Sequence, residues 1–190
     1  MMAERVHRTA AAAGLDPRGL ELLSKTMQTA MAPRVAIIED DHHPEYLHPG
    51  RSVLILLDDV GLVDPVALCA ACVLDTRRYD LEATDHVVSE QVSPDVAEFR
   101  SVVPRSGSET LLEDLLVSEP IVVLVALAER LDQVRHAHQW GDWPAARIAH
   151  QEASEIYLKV AERAHARLAT RYTHWCRAFG ERYLSEDTET

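Results

Sequence analysis

Helix-start signals punctuate this chain from end to end, while the marks of a paired strand are missing. Asp16-Pro17, Asp64-Pro65 and Ser93-Pro94 each put a capping oxygen ahead of a proline in the first helical turn, where the missing N–H leaves no bond unmade. There are 7 glycines, no Asn-Gly or Asp-Gly hairpin turn, and no sustained period-two alternation. The spacing predicts helices over 3–13 (closed by Gly14), from Pro17 to about Met31, and from Arg51 to Val60, stopped by Gly61. Further helices are expected from Pro65 to Asp75 or Arg77, over 82–91, from Pro94 to a stop before Pro104, and over 109–117 and 120–138. The turn Trp140–Pro144 opens a long helix to about Leu168, and a last one covers 171–183. Pro33, Pro44 and Pro49 bracket an expected loop that carries Glu39-Asp40-Asp41-His42-His43 and a short extended piece at Val35–Ile38. The acidic tail Ser185–Thr190 is expected to fray. No repeat or low-complexity linker divides the chain. The expectation is therefore one all-α bundle over residues 1–190, of roughly eight to ten helices, with residues 1–32 as its N-terminal helices.

Composition narrows the function classes. At 190 residues, 47% apolar and 26% charged, the chain can bury a real core. Lys and Arg number 19 against 31 Asp and Glu, a net charge of −12, which argues against a nucleic-acid-binding module. Three cysteines are too few for a disulfide framework and suit a reducing compartment. The first residues lack the apolar run of a signal peptide, and the longest apolar stretch, Ile121 to Ala128, is too short to span a bilayer. A cytoplasmic protein without membrane or nucleic-acid partners is expected, its oligomeric state left open.

Two carboxylates stand out. Asp75 ends the apolar run Ala67–Leu74, and a negative charge at a helix C-terminus opposes the helix dipole unless a cation answers it. A metal ion, or Arg77 and Arg78, could do so. Glu129 continues a helix side that begins with Val122, Val125 and Ala126 and runs on to Gln133 and His136. Such a face fits a helix passing under a pocket or one emerging into solvent. His48 precedes Pro49. His42 and His43 beside Asp40 and Asp41 offer potential metal ligands, although adjacent residues rarely converge on one ion. Cys69-x-x-Cys72 lies mid-helix with apolar flanks and no second pair, so it reads as packed core thiols. No Gly-rich phosphate loop, nucleophile elbow or His-Glu-x-x-His string occurs.

In their order and spacing, His48-Pro49, Val53–Leu57, Gly61, Asp64, Ala67–Thr76, Asp95-Val96-Ala97, Val125–Leu131 and the helix from Trp143 resemble the HD hydrolase domain of the RelA/SpoT family. The likeness covers about residues 40–183 and is nearest the small stand-alone forms that remove the 3′-pyrophosphate of the alarmone (p)ppGpp. The resemblance implies a metal held by a His before Pro, a His-Asp pair and an Asp in a Leu-Ala-Asp-Arg-Leu string. Here these become His48, Leu74-Asp75 and Glu129. The family's catalytic Glu-Asp pair falls on Arg78 and Tyr79, its Asn falls near Gln133, and the basic residues ahead of its His-Pro are replaced by Glu39–Asp41.

Leucine cannot ligate a metal, and Arg-Tyr cannot supply the carboxylate that would activate water. The resemblance therefore implies a degenerate site with no metal, in which Arg78 would pair with Asp75 or Glu129. The pocket, lined by His48, Asp75, Arg78, Tyr79, Glu129 and Gln133, would bind a small molecule or perform metal-free chemistry. The alternative is a rebuilt metal-dependent phosphohydrolase acting on a nucleotide or phosphorylated metabolite, holding manganese or another divalent ion with His48, Asp75 and Glu129 and with help from His42 or His43. A third reading is a regulatory interaction module with a vestigial pocket.

Overall fold

The computed structural model describes residues 2–184, and the expected fraying of Ser185–Thr190 lies outside them. Among the described residues there is no strand, and the chain folds as an all-α bundle. Helices α1 (Met2–Ala12) and α2 (Pro17–Ile37) lead into α3 (Pro44–Leu54), which runs on through a π turn at Ile55–Val60. Then follow α4 (Pro65–Val73), α5 (Asp85–Gln91), α6 (Pro94–Ser101), α7 (Leu111–Val117) and α8 (Pro120–Val134). The chain closes with α9 (Trp143–Glu152), a π turn at Ala153–Tyr157, α10 (Leu158–Ala164), α11 (Ala166–Phe179) and a π turn at Gly180–Leu184.

Helix α4 is the axis. Ala67 to Val73 are all buried, and α2, α3, α6 and α8 pack around it. A helix apolar on every side must be enclosed by others. Its start is set as expected: the Asp64 carboxylate accepts from Ala67 N at 2.8 Å. Cys69 and Cys72 are packed in this core, and burial pushes the Cys69 thiol up to about 12, so neither is poised as a nucleophile. The α10–α11 hairpin covers α8, and the Tyr172 hydroxyl donates to Leu127 O at 2.8 Å. Among the described residues no helix is long and apolar enough to cross a membrane.

Besides α4 and α8, which end at Val73 and Val134, short of Asp75 and of residue 138, three boundaries differ from the sequence expectation. Val35–Ile38 is not an extended piece, because α2 continues through Pro33 to Ile37. Pro33 removes one helical bond. The turn beyond it is held by Arg34, whose guanidinium reaches the carbonyls of Ala30 (2.9 Å), Glu45 (2.9 Å) and Leu81 (2.8 Å). Helix α3 begins at Pro44 rather than near Arg51, since His43 caps it by accepting from Glu45 N at 3.1 Å. The long helix from Trp143 breaks at His165, which turns extended (φ −161°), and Leu168 is buried on the returning helix α11.

Candidate functional site

The fold brings His48, Asp75 and Glu129 together. They come from α3, from just beyond the end of α4, and from α8, and one ligand atom of each lies within 4.8 Å of the other two. All three are buried, at 2%, 0% and 1% exposure, so the surroundings are dry. Gln133, one turn beyond Glu129, joins them by donating to Asp75 Oδ1 at 3.0 Å.

His48 is gripped from one side. Its Nδ1 lies 2.8 Å from Asp132 Oδ2, and Arg51 donates to both oxygens of that carboxylate at 2.8 and 3.1 Å. Its Nε2 faces Glu129 Oε1 at 3.6 Å and has no hydrogen-bond partner among the described residues. Burial pushes the imidazole down, but the hydrogen bond with Asp132, the nearby Glu129 carboxylate and the charges of Asp75 and Asp132 outweigh it and raise the group to about 10. His48 is thus an imidazolium at neutral pH. Glu129 is held in turn by Thr76, whose N and Oγ1 each donate to Oε1 at 3.0 Å.

Asp75 is answered by a cation the sequence reading missed. Arg34 Nη2 donates to Asp75 Oδ2 at 2.7 Å, with both side chains buried. The other oxygen accepts from Gln133 Nε2, Arg77 N at 3.2 Å and Arg78 N at 2.8 Å. Three donors crowd onto Oδ1, and Arg34 alone takes Oδ2. Burial lowers the Arg34 pKa, while Asp75 opposes that shift.

No family model, curated protein or solved structure matches this chain.

Several expected members stand elsewhere. The Arg78 guanidinium does not reach Asp75 or Glu129; it forks onto Asp80 at 2.7 and 2.6 Å, near the surface. Only its backbone N–H serves the site. Tyr79 is 58% exposed and lies under Arg105, so it lines no pocket with His48. Arg77 also points away, to Glu45 at 2.5 Å. The loop at 40–43 does not fold back onto the site, because His42 is exposed and His43 is spent on the α3 cap. Glu129 and Gln133 are not on an emerging face: Val122, Val123 and Val125–Val134 are all buried. Leu74 is fully buried in the core, as its apolar side chain requires.

Could these residues hold a metal? By distance, His48 Nε2 and two carboxylate oxygens would suffice for a three-ligand site. By charge the fit fails. Asp75 Oδ1 already accepts three hydrogen bonds, and the Arg34 guanidinium sits against Oδ2. Counting outward, the cations Arg34, His48, Arg51, Arg77 and Arg130 face the carboxylates Glu45, Asp75, Glu129, Asp132 and Glu152. The cluster is balanced. Seating a divalent ion would require His48 to lose its proton and would still leave one positive charge uncompensated in a dry interior.

Proposed function

We propose that this chain is a degenerate HD-fold protein, resembling the RelA/SpoT-type (p)ppGpp pyrophosphohydrolases, that has lost metal-dependent hydrolysis and works by binding a small molecule. One observation carries the reading: the Arg34 guanidinium, buried on Asp75, supplies the positive charge that a metal would otherwise bring. The residues that the resemblance matches to metal ligands, His48, Asp75 and Glu129, meet at one place, which supports the ancestry. Their hydrogen bonds to Arg34, Thr76, Gln133 and Asp132 support a change of role from coordination to internal ion pairing. The enclosure of these groups leaves a substrate phosphate no route to them without local opening, so a ligand is expected at another cavity.

The test combines metal analysis of purified protein, a manganese titration, and a (p)ppGpp turnover assay under manganese. No stoichiometric metal and no turnover are expected. Stoichiometric metal that a His48→Ala substitution removes would overturn the reading.

One observation favours a second reading, a metal-dependent phosphohydrolase with His48, Asp75 and Glu129 as ligands. His48 Nε2 is buried without a hydrogen bond and faces two carboxylates, and its Nδ1 rests on Asp132 in the way that outer carboxylates orient metal-binding histidines. Under that reading manganese or zinc raises the melting temperature, and Asp75→Asn abolishes the rise.

A further inference from the structure

A concentration of accessible positive charge on this acidic chain lies at the edge of the buried cluster and shares Arg51 with it. A cavity of about 280 Å³ opens where α1, the π turn at Ile55–Val60, the end of α8 and α11 meet, and its polar walls are Arg5, Arg51, Arg135, Arg171, Asp58 and Asp59. An adjoining cavity of about 540 Å³ shares Arg135 and Arg171 and extends past His174 and Trp175. Together they are large enough for a small metabolite.

The guanidinium groups there are only partly committed. Arg171 Nη2 donates to Asp59 at 2.6 Å, and Arg167 also approaches Asp59, at 3.8 Å, so that carboxylate is already answered. Arg51 spends Nε and Nη2 on Asp132 and Pro44 O, leaving Nη1 unassigned, and its side chain is 20% exposed at the cavity wall. Arg5 meets Asp58 only at 3.9 Å, with both side chains about half exposed. The Arg135 side chain, exposed, makes no hydrogen bond or ion pair among the described residues. Four guanidinium groups face two carboxylates, Asp58 and Asp59, so the concavity is net positive and a bound oxyanion would answer that excess. Guanidinium forks match phosphate oxygens in pairs.

The π turn carries Asp58 and Asp59 onto the wall and ends its helix at Gly61, which is in the left-handed conformation (φ 74°).

We propose that this cleft binds a small molecule through a phosphate group, held by Arg5, Arg51, Arg135 and Arg171, with the uncharged part of the molecule beside Trp175. The net charge of −12 repels large polyanions at a distance, whereas a small ion entering a locally positive concavity escapes most of that field. A phosphorylated metabolite fits; a nucleic acid does not.

The experiment is calorimetric titration and thermal shift on the full chain kept in chelator, so that any metal chemistry at His48 does not enter. Inorganic phosphate, pyrophosphate and citrate are the probes. Phosphate and pyrophosphate should each bind saturably, once per chain, and raise the melting temperature. Arg135→Ala and Arg5→Ala, both at exposed positions, should each weaken pyrophosphate by about tenfold while leaving the unliganded melting temperature in place. No saturable binding of either phosphate at millimolar concentration would overturn the proposal. So would pyrophosphate affinity unchanged in both variants, or citrate binding as tightly as pyrophosphate.

Discussion

The buried cluster around His48 and the arginine cleft beside α11 use the same residue types to opposite ends. In the first, every guanidinium meets a carboxylate or carbonyl, and the groups are sealed under α2 and α8. In the second, Arg135 makes no pair and Arg5 only a loose one, and the groups face open space. Burial decides which charges hold the fold together. A dry ion pair is indispensable once built, because removing one member strands the other without water. An exposed pair contributes little to stability and leaves its donors available to a ligand.

The comparison breaks first at Arg34 if it is wrong. Arg34→Ala strands the buried Asp75 carboxyl without its cation and also orphans the Leu81 and Glu45 carbonyls. A loss of about 3–5 kcal/mol is expected in denaturant unfolding. A loss under about 1 kcal/mol would mean that water reaches the cluster and the contrast between the two regions is false.

The pH dependence is the next largest effect. His48 titrates at about 10 in the folded chain against 6.5 in the unfolded one. Its stabilisation is therefore fully present below pH 6.5 and fades as the pH rises through about 10. The lowered Asp132 carboxyl reports the same ion pair from the acid side and is not a second contribution. Unfolding free energy should drop by a few kcal/mol across that alkaline window, and His48→Gln should flatten the drop. A histidine bound to metal is neutral already and would give no such fall.

Much of the fold and part of the cluster were legible in the sequence. The capped Pro starts and the apolar run Ala67–Leu74 placed the start of α4 correctly, although the helix ends at Val73 rather than at Asp75 or Arg77. His48, Asp75, Glu129 and Gln133 were singled out, and they do meet. Arg34 was not, although a clue existed: Leu23, Met27, Ala30 and Arg34 recur at helical spacing and are all buried, so an arginine closes an apolar stripe. Ending α2 at Pro33 hid that stripe, because the bonds that carry the helix past the proline come from Glu45 and Leu81, remote in the chain. Asp132 was missed for a related reason. Its partners, His48 and Arg51, lie on α3 and are remote in the chain, so no local pattern marks it. Pairing Arg78 with Asp75 assumed that nearness in sequence decides ion pairs; the backbone turn after Leu74 aims the amides of Arg77 and Arg78 at Asp75 and sends their side chains outward.

A smaller effect sharpens the inside half of the comparison. Thr76→Val keeps the side-chain shape but removes the hydroxyl whose single proton is within hydrogen-bond reach of both Glu129 oxygens and Gln133 Oε1. Glu129 keeps the backbone donor from residue 76, so a cost of about 1–3 kcal/mol is expected rather than the full penalty of a stranded charge. A neutral outcome would mean that Glu129 finds another buried donor, for which His48 Nε2 at 3.6 Å is the nearest candidate.

The smallest effect tests the outside half. Arg135→Ala deletes an exposed cation with no partner among the described residues, so unfolding free energy should move by no more than about 0.5 kcal/mol. The sign is informative. Arg51, Arg135 and Arg171 face one cavity, and removing the least committed of them relieves repulsion, so a slight gain at low ionic strength is expected. Salt should erase that gain, because charges this exposed are screened over a Debye length of about 10 Å at 0.1 M. A clear loss of stability, insensitive to salt, would show Arg135 acting as a packing or pairing residue, and the cleft would then belong with the buried cluster as scaffolding rather than as a place kept open for an anion.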